Sequence, residues 1–99
     1  MSLNTKHDLD SEVLLKYPKK YKVFILNDHY TTMDFVVDIL ITIFHKTFEE
    51  SEAIMLEVHK NGRGLCGIYT HEIAETKVTQ AINKAKDNGH PLKATMEEE

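Results

Sequence analysis

The chain has 99 residues, of which 41% are hydrophobic and 28% charged, and its formal net charge is −4. This length allows one domain with a single modest core. No segment approaches the roughly 18–20 apolar residues of a membrane-spanning helix, and the polar first residues predict no secretory signal. The negative charge argues against nucleic acid as a partner, because the basic surface that binds phosphates is missing.

The first 20 residues differ in character from the rest of the chain. Residues 1–20 carry charges of both signs, contain Pro18 and show no sustained periodicity. We predict a flexible N-terminal arm there and a core domain over residues 21–99. Composition alone leaves two roles open for the arm, an inert leader or a segment that reaches a partner.

A strand and a helix are predicted on either side of a polar turn. The apolar run 23–26 is typical of a short buried strand, and the polar residues Asn27, Asp28 and His29 follow it. Thr31 and Asp34 have the spacing of a capping box, so a helix is predicted over residues 32–46. Acceptor groups at the rim of a core are a common setting for small-ligand binding.

A second helix is predicted directly after the first. Thr47 and Glu50 form another capping-box pattern, which predicts a helix over residues 48–60. Gly62 follows it and suits a left-handed helix end.

The remaining elements complete the order β-α-α-β-α-β. Residues 65–70 are predicted to form a strand, Thr70 to cap a helix that ends at about residue 87, and residues 92–96 to form a last short strand. The fold class is therefore α+β, a single-domain sandwich in which three helices cover a three-stranded antiparallel or mixed sheet.

No enzyme template fits the chain. His71 and Glu72 begin like a zinc-protease helix, but Glu75 stands where the second histidine is needed. Cys66 lies inside a predicted strand, which favours a core residue over a nucleophile, and one cysteine suits a reducing compartment. We expect no catalytic residue, no metal and no cofactor.

Three polar residues are candidates for binding. Asn27 and Asp28 follow the first strand, and His59 lies near the end of the second helix. Each has an ordinary explanation, since Asn-Asp is a good turn pair and a histidine can offset a helix dipole. Together they offer an amide oxygen, a carboxylate and an imidazole lone pair, which suit an ammonium group.

Several stretches share the order and spacing of a known family. They are residues 26–37 (LNDHYTTMDFVV), 54–59 (IMLEVH), 64–70 (GLCGIYT), 72–78 (EIAETKV) and 90–92 (HPL). Over residues 21–96 the chain resembles the ClpS family of Clp protease adaptors, and the fold of that family agrees with the α+β prediction above.

The resemblance implies a non-catalytic adaptor of the bacterial cytoplasm. Such proteins bind substrates whose first residue is Leu, Phe, Tyr or Trp, a signal known as an N-degron. They deliver these substrates to an AAA+ ATPase, ClpA or a ClpC-type relative, that works with the peptidase ClpP. The expected partners are thus this ATPase and substrate N-terminal peptides, with no nucleic acid and no membrane, and the adaptor is expected to be a monomer.

The resemblance also implies roles for individual residues. Asn27, Asp28 and His59 would bind the α-amino group, and Met33 would exclude β-branched first residues. Glu72 and Lys77 would contact the ATPase, and the N-terminal arm would engage it during hand-off. The apolar pocket for the first side chain would be lined by Leu26, Thr31, Met33, Val36, Met55, Val58 and Leu92.

Two positions depart from the family pattern. His29 stands where a second Asp is common, so this chain lacks one negative charge beside the predicted ammonium site. We expect a changed affinity or first-residue ranking as a result. Thr32 stands where Pro is common, which affects mainly the rigidity of the first helical turn.

Two functions of other classes stay open at this level. One is a generic protein-interaction domain, similar to the C-terminal domain of the ribosomal stalk, without recognition of N-terminal residues. The other is a hydrolase that acts on N-terminal residues through Cys66.

Overall fold

The predicted order of elements is confirmed in the computed structural model, which describes residues 18–99. The predicted arm lies outside these residues except for its last three, of which Lys20 opens the first strand. Among residues 18–99, no helix combines the length and apolar character needed to cross a membrane. The strands are β1 (Lys20–Leu26), β2 (Arg63–Thr70) and β3 (Lys93–Glu98), and the helices are α1 (Met33–Thr42), α2 (Phe48–Asn61) and α3 (His71–Asp87).

The sheet is antiparallel throughout, with β1 in the centre. Its order is β2-β1-β3, and β1 runs antiparallel to both neighbours. Val23 and Ile25 of β1 are fully buried and pack with Cys66 and Ala94 of the flanking strands. Because side chains alternate along a strand, these residues share the face that the helices cover. The core is completed mainly by Ile39 and Leu40 of α1, Val58 of α2, and Ala74, Ala81 and Ala85 of α3.

The start and end of α1 differ from the prediction. Thr32, and not Thr31, is the N-cap, and its hydroxyl accepts a hydrogen bond from the Phe35 N–H at 3.2 Å. The hydroxyl of Thr31 donates instead to Asp28. The helix ends at Thr42 and not at residue 46, because the chain reverses through His45, whose φ is +57°.

The second helix begins as predicted and ends at Asn61, one residue later than predicted. The hydroxyl of Thr47 accepts from the Glu50 N–H while the Glu50 carboxylate accepts from the Thr47 N–H, which completes a capping box. The hydrogen bond that the Glu50 carboxylate accepts from the Thr47 backbone N–H is the main cause that lowers the pKa of Glu50 below its ordinary value, and the Thr47 side chain adds to it. Gly62 ends the helix with φ +90°, the left-handed conformation that glycine adopts without strain. Thr70 is the N-cap of α3, although its side chain makes no capping hydrogen bond.

Candidate functional site

A cavity of about 320 Å³ opens where three elements meet: the end of β1, the start of α1 and the second half of α2. One part of its wall is apolar and the other part is polar. The apolar residues are Met33, Val36, Met55 and Val58, and the polar residues are Asn27, Asp28, His29, Thr31 and His59. The structure thus brings together nine residues that the sequence analysis connected with binding.

Helical spacing explains how two helices present these side chains. Met33 and Val36 are three residues apart on α1, and Met55 lies three and four residues before Val58 and His59 on α2. Residues at these separations share one helix face. Val36 and Val58 are buried, whereas 48% of the Met33 surface is exposed. Met33 therefore stands at the mouth of the cavity and the two valines lie deeper.

A backbone hydrogen bond holds the polar part of the wall together. The Asn27 N–H donates to the carbonyl oxygen of Gly62 at 2.9 Å. This bond joins the residue after β1 to the residue that ends α2. It thereby keeps Asn27 on the same side of the cavity as His59, which lies in the last turn of that helix.

The carboxylate of Asp28 organises the loop that follows Asn27. One of its oxygens accepts from the N–H groups of Tyr30 and Thr31 at 2.8 and 2.7 Å, and the other accepts from the Thr31 hydroxyl at 2.7 Å. Partial burial opposes ionisation of this carboxyl, but the hydrogen bonds from Thr31 and Tyr30 outweigh it and, with nearby His29, lower the pKa of Asp28. Asp28 is therefore an anion whose hydrogen-bonding capacity is largely used inside the loop.

Asn27 and His59 keep their side-chain acceptors available. Both are exposed, and neither side chain hydrogen-bonds to another residue within the described range 18–99. The cavity thus combines an apolar wall with an amide oxygen, an imidazole and a nearby carboxylate. Such a site suits a small apolar group that carries an amine, because the amide oxygen and the imidazole nitrogen can accept hydrogen bonds from an ammonium group and the carboxylate adds negative charge.

Two residues predicted for the pocket are not among the nine that line the cavity. Side chains alternate along a strand, and Leu26 comes directly after Ile25 in β1. The side chain of Leu26 therefore lies on the sheet face opposite to that of Ile25. It lines a separate depression of about 370 Å³ with Tyr30 and Lys93, on the other side of the loop. Leu92 is 3% exposed and belongs to the core.

The two residues predicted to contact an ATPase differ in their surroundings. Glu72 is exposed in the first turn of α3. Lys77 is half-buried, and its ammonium donates to the carbonyl oxygen of Ile43 at 2.7 Å, beyond the end of α1. The same ammonium lies 5.6 Å from the ring centre of Tyr69. Lys77 therefore has a structural contact that the sequence did not reveal.

A second depression shares a wall with the cavity. It lies between α1 and α2, has a volume of about 320 Å³, and includes Met33 and Met55 among its lining residues. This depression was not predicted from the sequence, although the helical spacing of Asp34, Asp38 and Ile41 was a usable signal for it. Its other lining residues are Val37, Phe48 and Glu52.

The structure gives no support to a cysteine nucleophile. Cys66 is fully buried, and burial raises the pKa of its thiol to about 12. A thiol must be ionised to attack, so this residue is inert at neutral pH. Among residues 18–99, no group of three or more histidine, cysteine or carboxylate side chains is placed to hold a metal ion.

Comparison with known proteins agrees with the resemblance. The family model described as "ATP-dependent Clp protease adaptor protein ClpS" matches residues 16–95. A ClpS adapter protein of Wolinella succinogenes is 50% identical over 92% of this chain and 89% of its own length. That of Desulforapulum autotrophicum is 52% identical over the full length of both chains, and that of Neisseria meningitidis is 51% identical over 96% of this chain and 95% of its own.

A solved structure shares the fold. It is that of Agrobacterium tumefaciens ClpS2 bound to L-phenylalaninamide, with a TM-score of 0.81 and 36% sequence identity. The similarity covers 84% of this chain and all of the other. The relatives are named as adapters of a protease, which places this protein with non-catalytic partners of the Clp machinery. The chain belongs to the ClpS family of ATP-dependent Clp protease adaptors.

Proposed function

We propose that this adaptor binds the free N-terminal Leu, Phe, Tyr or Trp of substrate proteins in the cavity between β1, α1 and α2. The observation that carries the proposal is the placement of Asn27 and His59, whose side chains have no hydrogen-bond partner among residues 18–99, beside the apolar wall of the cavity. The Agrobacterium relative gives independent support, since its ligand, phenylalaninamide, combines an aromatic side chain with a free amine.

Polar and apolar contacts divide the recognition between them. Asn27 and His59 accept hydrogen bonds from the α-ammonium group, and Asp28 adds negative charge nearby. Hydrogen bonds to a charged group contribute roughly 1.5–3 kcal/mol each. Burial of a Leu or Phe side chain contributes a similar ~1.5–3 kcal/mol but cannot distinguish a chain terminus from an internal residue. Selection of the terminus therefore rests on the polar contacts.

Met33 restricts the choice of side chain. It stands at the mouth of the cavity, above the buried Val36 and Val58. A Val or Ile first residue branches at Cβ, close to the backbone, and would meet Met33 before its side chain filled the deeper space. Leu, Phe, Tyr and Trp branch farther out and pass the methionine.

Membership of the family supports a role in substrate delivery. We propose that the bound substrate goes to the ATPase ClpA, or a ClpC-type relative, which works with ClpP in the bacterial cytoplasm. Glu72 and Lys77 contact the ATPase, and residues 1–20 engage it during hand-off. The adaptor acts as a monomer, without a nucleic-acid or membrane partner.

Fluorescence anisotropy with labelled peptides tests the recognition step. A Leu-first peptide should bind at least about tenfold more tightly than its N-acetylated form, which loses the charge-assisted hydrogen bonds. A Val-first peptide should also bind more weakly. Equal binding by all three peptides would contradict recognition of the terminus and would favour the generic interaction domain.

A degradation assay with purified ClpA and ClpP tests the delivery step. This adaptor should speed the degradation of a Leu-first fluorescent protein and not of a Met-first control. Glu72→Lys should bind the labelled peptide as the wild type does but should no longer speed degradation. Unchanged delivery by Glu72→Lys would contradict the proposed contact.

A further inference from the structure

His90, in the loop after α3, stacks on Phe35 of α1. The two ring centres are 4.2 Å apart and the ring planes are inclined by 25°. Both side chains are half-buried, and an aromatic pair of this kind stabilises a protein beyond the apolar area that it buries. Neither residue lines the cavity for the first residue. The contact nevertheless joins the loop before β3 to the helix that carries Met33.

The backbone around His90 is fixed on both sides. The His90 N–H donates to the carbonyl oxygen of Ala85, in the last turns of α3, at 2.8 Å. Pro91 follows with a φ that its ring restricts, and Leu92 is buried in the core. The imidazole therefore offers Phe35 a stationary surface.

Phe35 belongs to the same helical turn as Met33. The Phe35 N–H donates to the Thr32 hydroxyl at 3.2 Å, and the Val36 N–H donates to the Thr32 carbonyl oxygen at 3.1 Å. These hydrogen bonds make residues 32–36 one closed turn. A movement of the Met33 backbone therefore also moves the ring of Phe35.

This turn has a second anchor on its N-terminal side. The N–H and the hydroxyl of Thr31 both donate to the Asp28 carboxylate, at 2.7 Å each. That contact lies within the loop that leads into the turn. The stack with His90 instead ties the turn to a segment that is distant in the sequence.

We propose that His90 is a positioning residue: its stack on Phe35 holds the first turn of α1 and so keeps Met33 in place as the barrier to β-branched first residues. This inference rests on the proposed function of the cavity. A first residue of Ile can enter only if Met33 and its turn move outward. Because this movement breaks the stack, the free energy of stacking adds to the cost of binding Ile and not to that of binding Leu.

Fluorescence anisotropy with a Leu-first and an Ile-first peptide of otherwise identical sequence tests this role. The quantity of interest is the dissociation constant of the Ile peptide divided by that of the Leu peptide. In His90→Ala this ratio should be about three- to tenfold smaller than in the wild type, as for the loss of one aromatic pair. The Ile peptide gains affinity while binding of the Leu peptide stays nearly the same. His90→Phe keeps a ring on Phe35 and should restore the wild-type ratio.

Control variants assign the effect to the stack and to Met33. His71→Ala removes another imidazole from an aromatic contact, the edge-to-face pair with Tyr21 at 4.9 Å, and neither of these residues lines the cavity. It should keep the wild-type ratio. Met33→Ala removes the barrier itself, so adding His90→Ala to it should not change the ratio further.

The second partner of the stack gives an independent test. Phe35→Leu removes the other ring and keeps an apolar side chain, so it should lower the ratio as His90→Ala does. If His90→Ala does not fold, Phe35→Leu decides the question, and an unchanged ratio in that variant overturns the proposal.

The outcomes separate the role of His90 from the first-residue site. If His90→Ala weakens both peptides equally, or if His90→Phe lowers the ratio as much as His90→Ala, the proposal is wrong and the proposed function stands. A fall in the ratio that persists in the Met33→Ala background also overturns it, because His90 would then act without Met33. If the wild type binds no Leu-first peptide, the proposed function fails and the role of His90 fails with it.

Discussion

At the scale of single residues, the main role of Asp28 in the structure is to hold the shape of the loop that follows β1. Its two oxygens accept three hydrogen bonds from Tyr30 and Thr31, so the carboxylate shapes the loop that presents Asn27. A carboxylate used in this way adds charge to the site but has little capacity left for a ligand. The family resemblance implied that Asp28 binds the α-amino group, and these hydrogen bonds favour a contribution through loop shape and charge.

Two substitutions of Asp28 separate shape from charge. Asp28→Asn keeps an oxygen for the two N–H groups and can donate its amide to the Thr31 hydroxyl, so the loop should hold. We expect it to weaken binding of a Leu-first peptide only about two- to threefold, as expected for one screened charge. Asp28→Ala loses all three hydrogen bonds and should weaken binding more than about tenfold. Anisotropy measures both, and equal losses would show that charge alone matters.

The lowered pKa of Asp28 links folding to pH. A carboxyl group whose pKa is lower in the folded state than in the unfolded state stabilises the folded protein at a pH above the unfolded pKa, which is about 3.9 for Asp. This stabilisation is lost as the pH falls through the lower pKa of the folded state. Asp28→Asn lacks the titrating group. The difference in free energy of unfolding between wild type and Asp28→Asn should therefore shrink below about pH 4. Urea unfolding at neutral and acidic pH measures it, and a difference that stays constant contradicts the linkage.

At the scale of elements, the position of α2 depends on Gly64 of β2. A Cβ at this residue would lie 2.7 Å from Cγ2 of Val58 and 2.9 Å from the carbonyl oxygen of Ile54. Both contacts are on α2, which carries Met55 and His59 of the cavity. Close packing of the helix on the strand therefore sets the width of the site.

Gly64→Ala should push α2 away from the sheet. We expect a destabilisation of about 1–3 kcal/mol from overpacking, together with weaker peptide binding. Gly89→Ala is the control, because Gly89 has φ +77° but open space around it, so the change costs backbone strain without moving α2. Thermal unfolding and anisotropy give the two readouts. A Gly64→Ala protein as stable as wild type would contradict the tight contact.

Lys77 joins α3 to the end of α1. Lys77→Met keeps an aliphatic side chain beside Phe44 and Tyr69 but loses the hydrogen bond to Ile43. It should lower the stability by about 1–2 kcal/mol, whereas Glu72→Gln in the exposed first turn should change it by less than about 0.5 kcal/mol. Chemical denaturation measures both. If Lys77→Met is as stable as the wild type, the contact with Ile43 contributes nothing.

Capping patterns in the sequence predicted the boundaries of α2 well, because no residue outside the pattern competes for its hydrogen bonds. The capping box of Thr47 and Glu50 and the left-handed Gly62 depend only on neighbours in sequence, and both were predicted. The N-cap of α1 was predicted at Thr31, one residue too early. The Thr31 hydroxyl donates a hydrogen bond to Asp28, and Thr32 is the N-cap instead. The spacing of apolar residues gave no sign of that competition.

Tertiary contacts explain the remaining differences. Ile43 and Phe44 continue the apolar stripe of α1, yet they are buried through a turn in which the Lys46 N–H donates to the Leu40 carbonyl oxygen. Periodicity cannot separate a helical residue from a buried turn residue. Leu26 was placed in the pocket, but the alternation of β1 turns it to the other sheet face.

At the scale of the whole molecule, the candidate site exists only in the folded chain. Asn27 follows β1, Met33 begins α1 and His59 lies in α2, and the bond between the Asn27 N–H and Gly62 joins the end of β1 to the end of α2. Residue types alone indicated that Asn27, Asp28 and His59 suit an ammonium group. The apolar pocket was predicted only through the family resemblance, since no local pattern shows which helix faces meet.

A double-mutant cycle tests the proposed contact between His59 and the free α-ammonium group of the peptide. Dissociation constants are measured for a Leu-first peptide and its N-acetylated form, each with wild type and with His59→Ala. If His59 holds the ammonium, acetylation should weaken binding to the wild type by at least about tenfold and to His59→Ala by much less, because the contact is already lost. Equal, additive losses in the two proteins would show that His59 and the terminus do not interact and would overturn the proposed ammonium site.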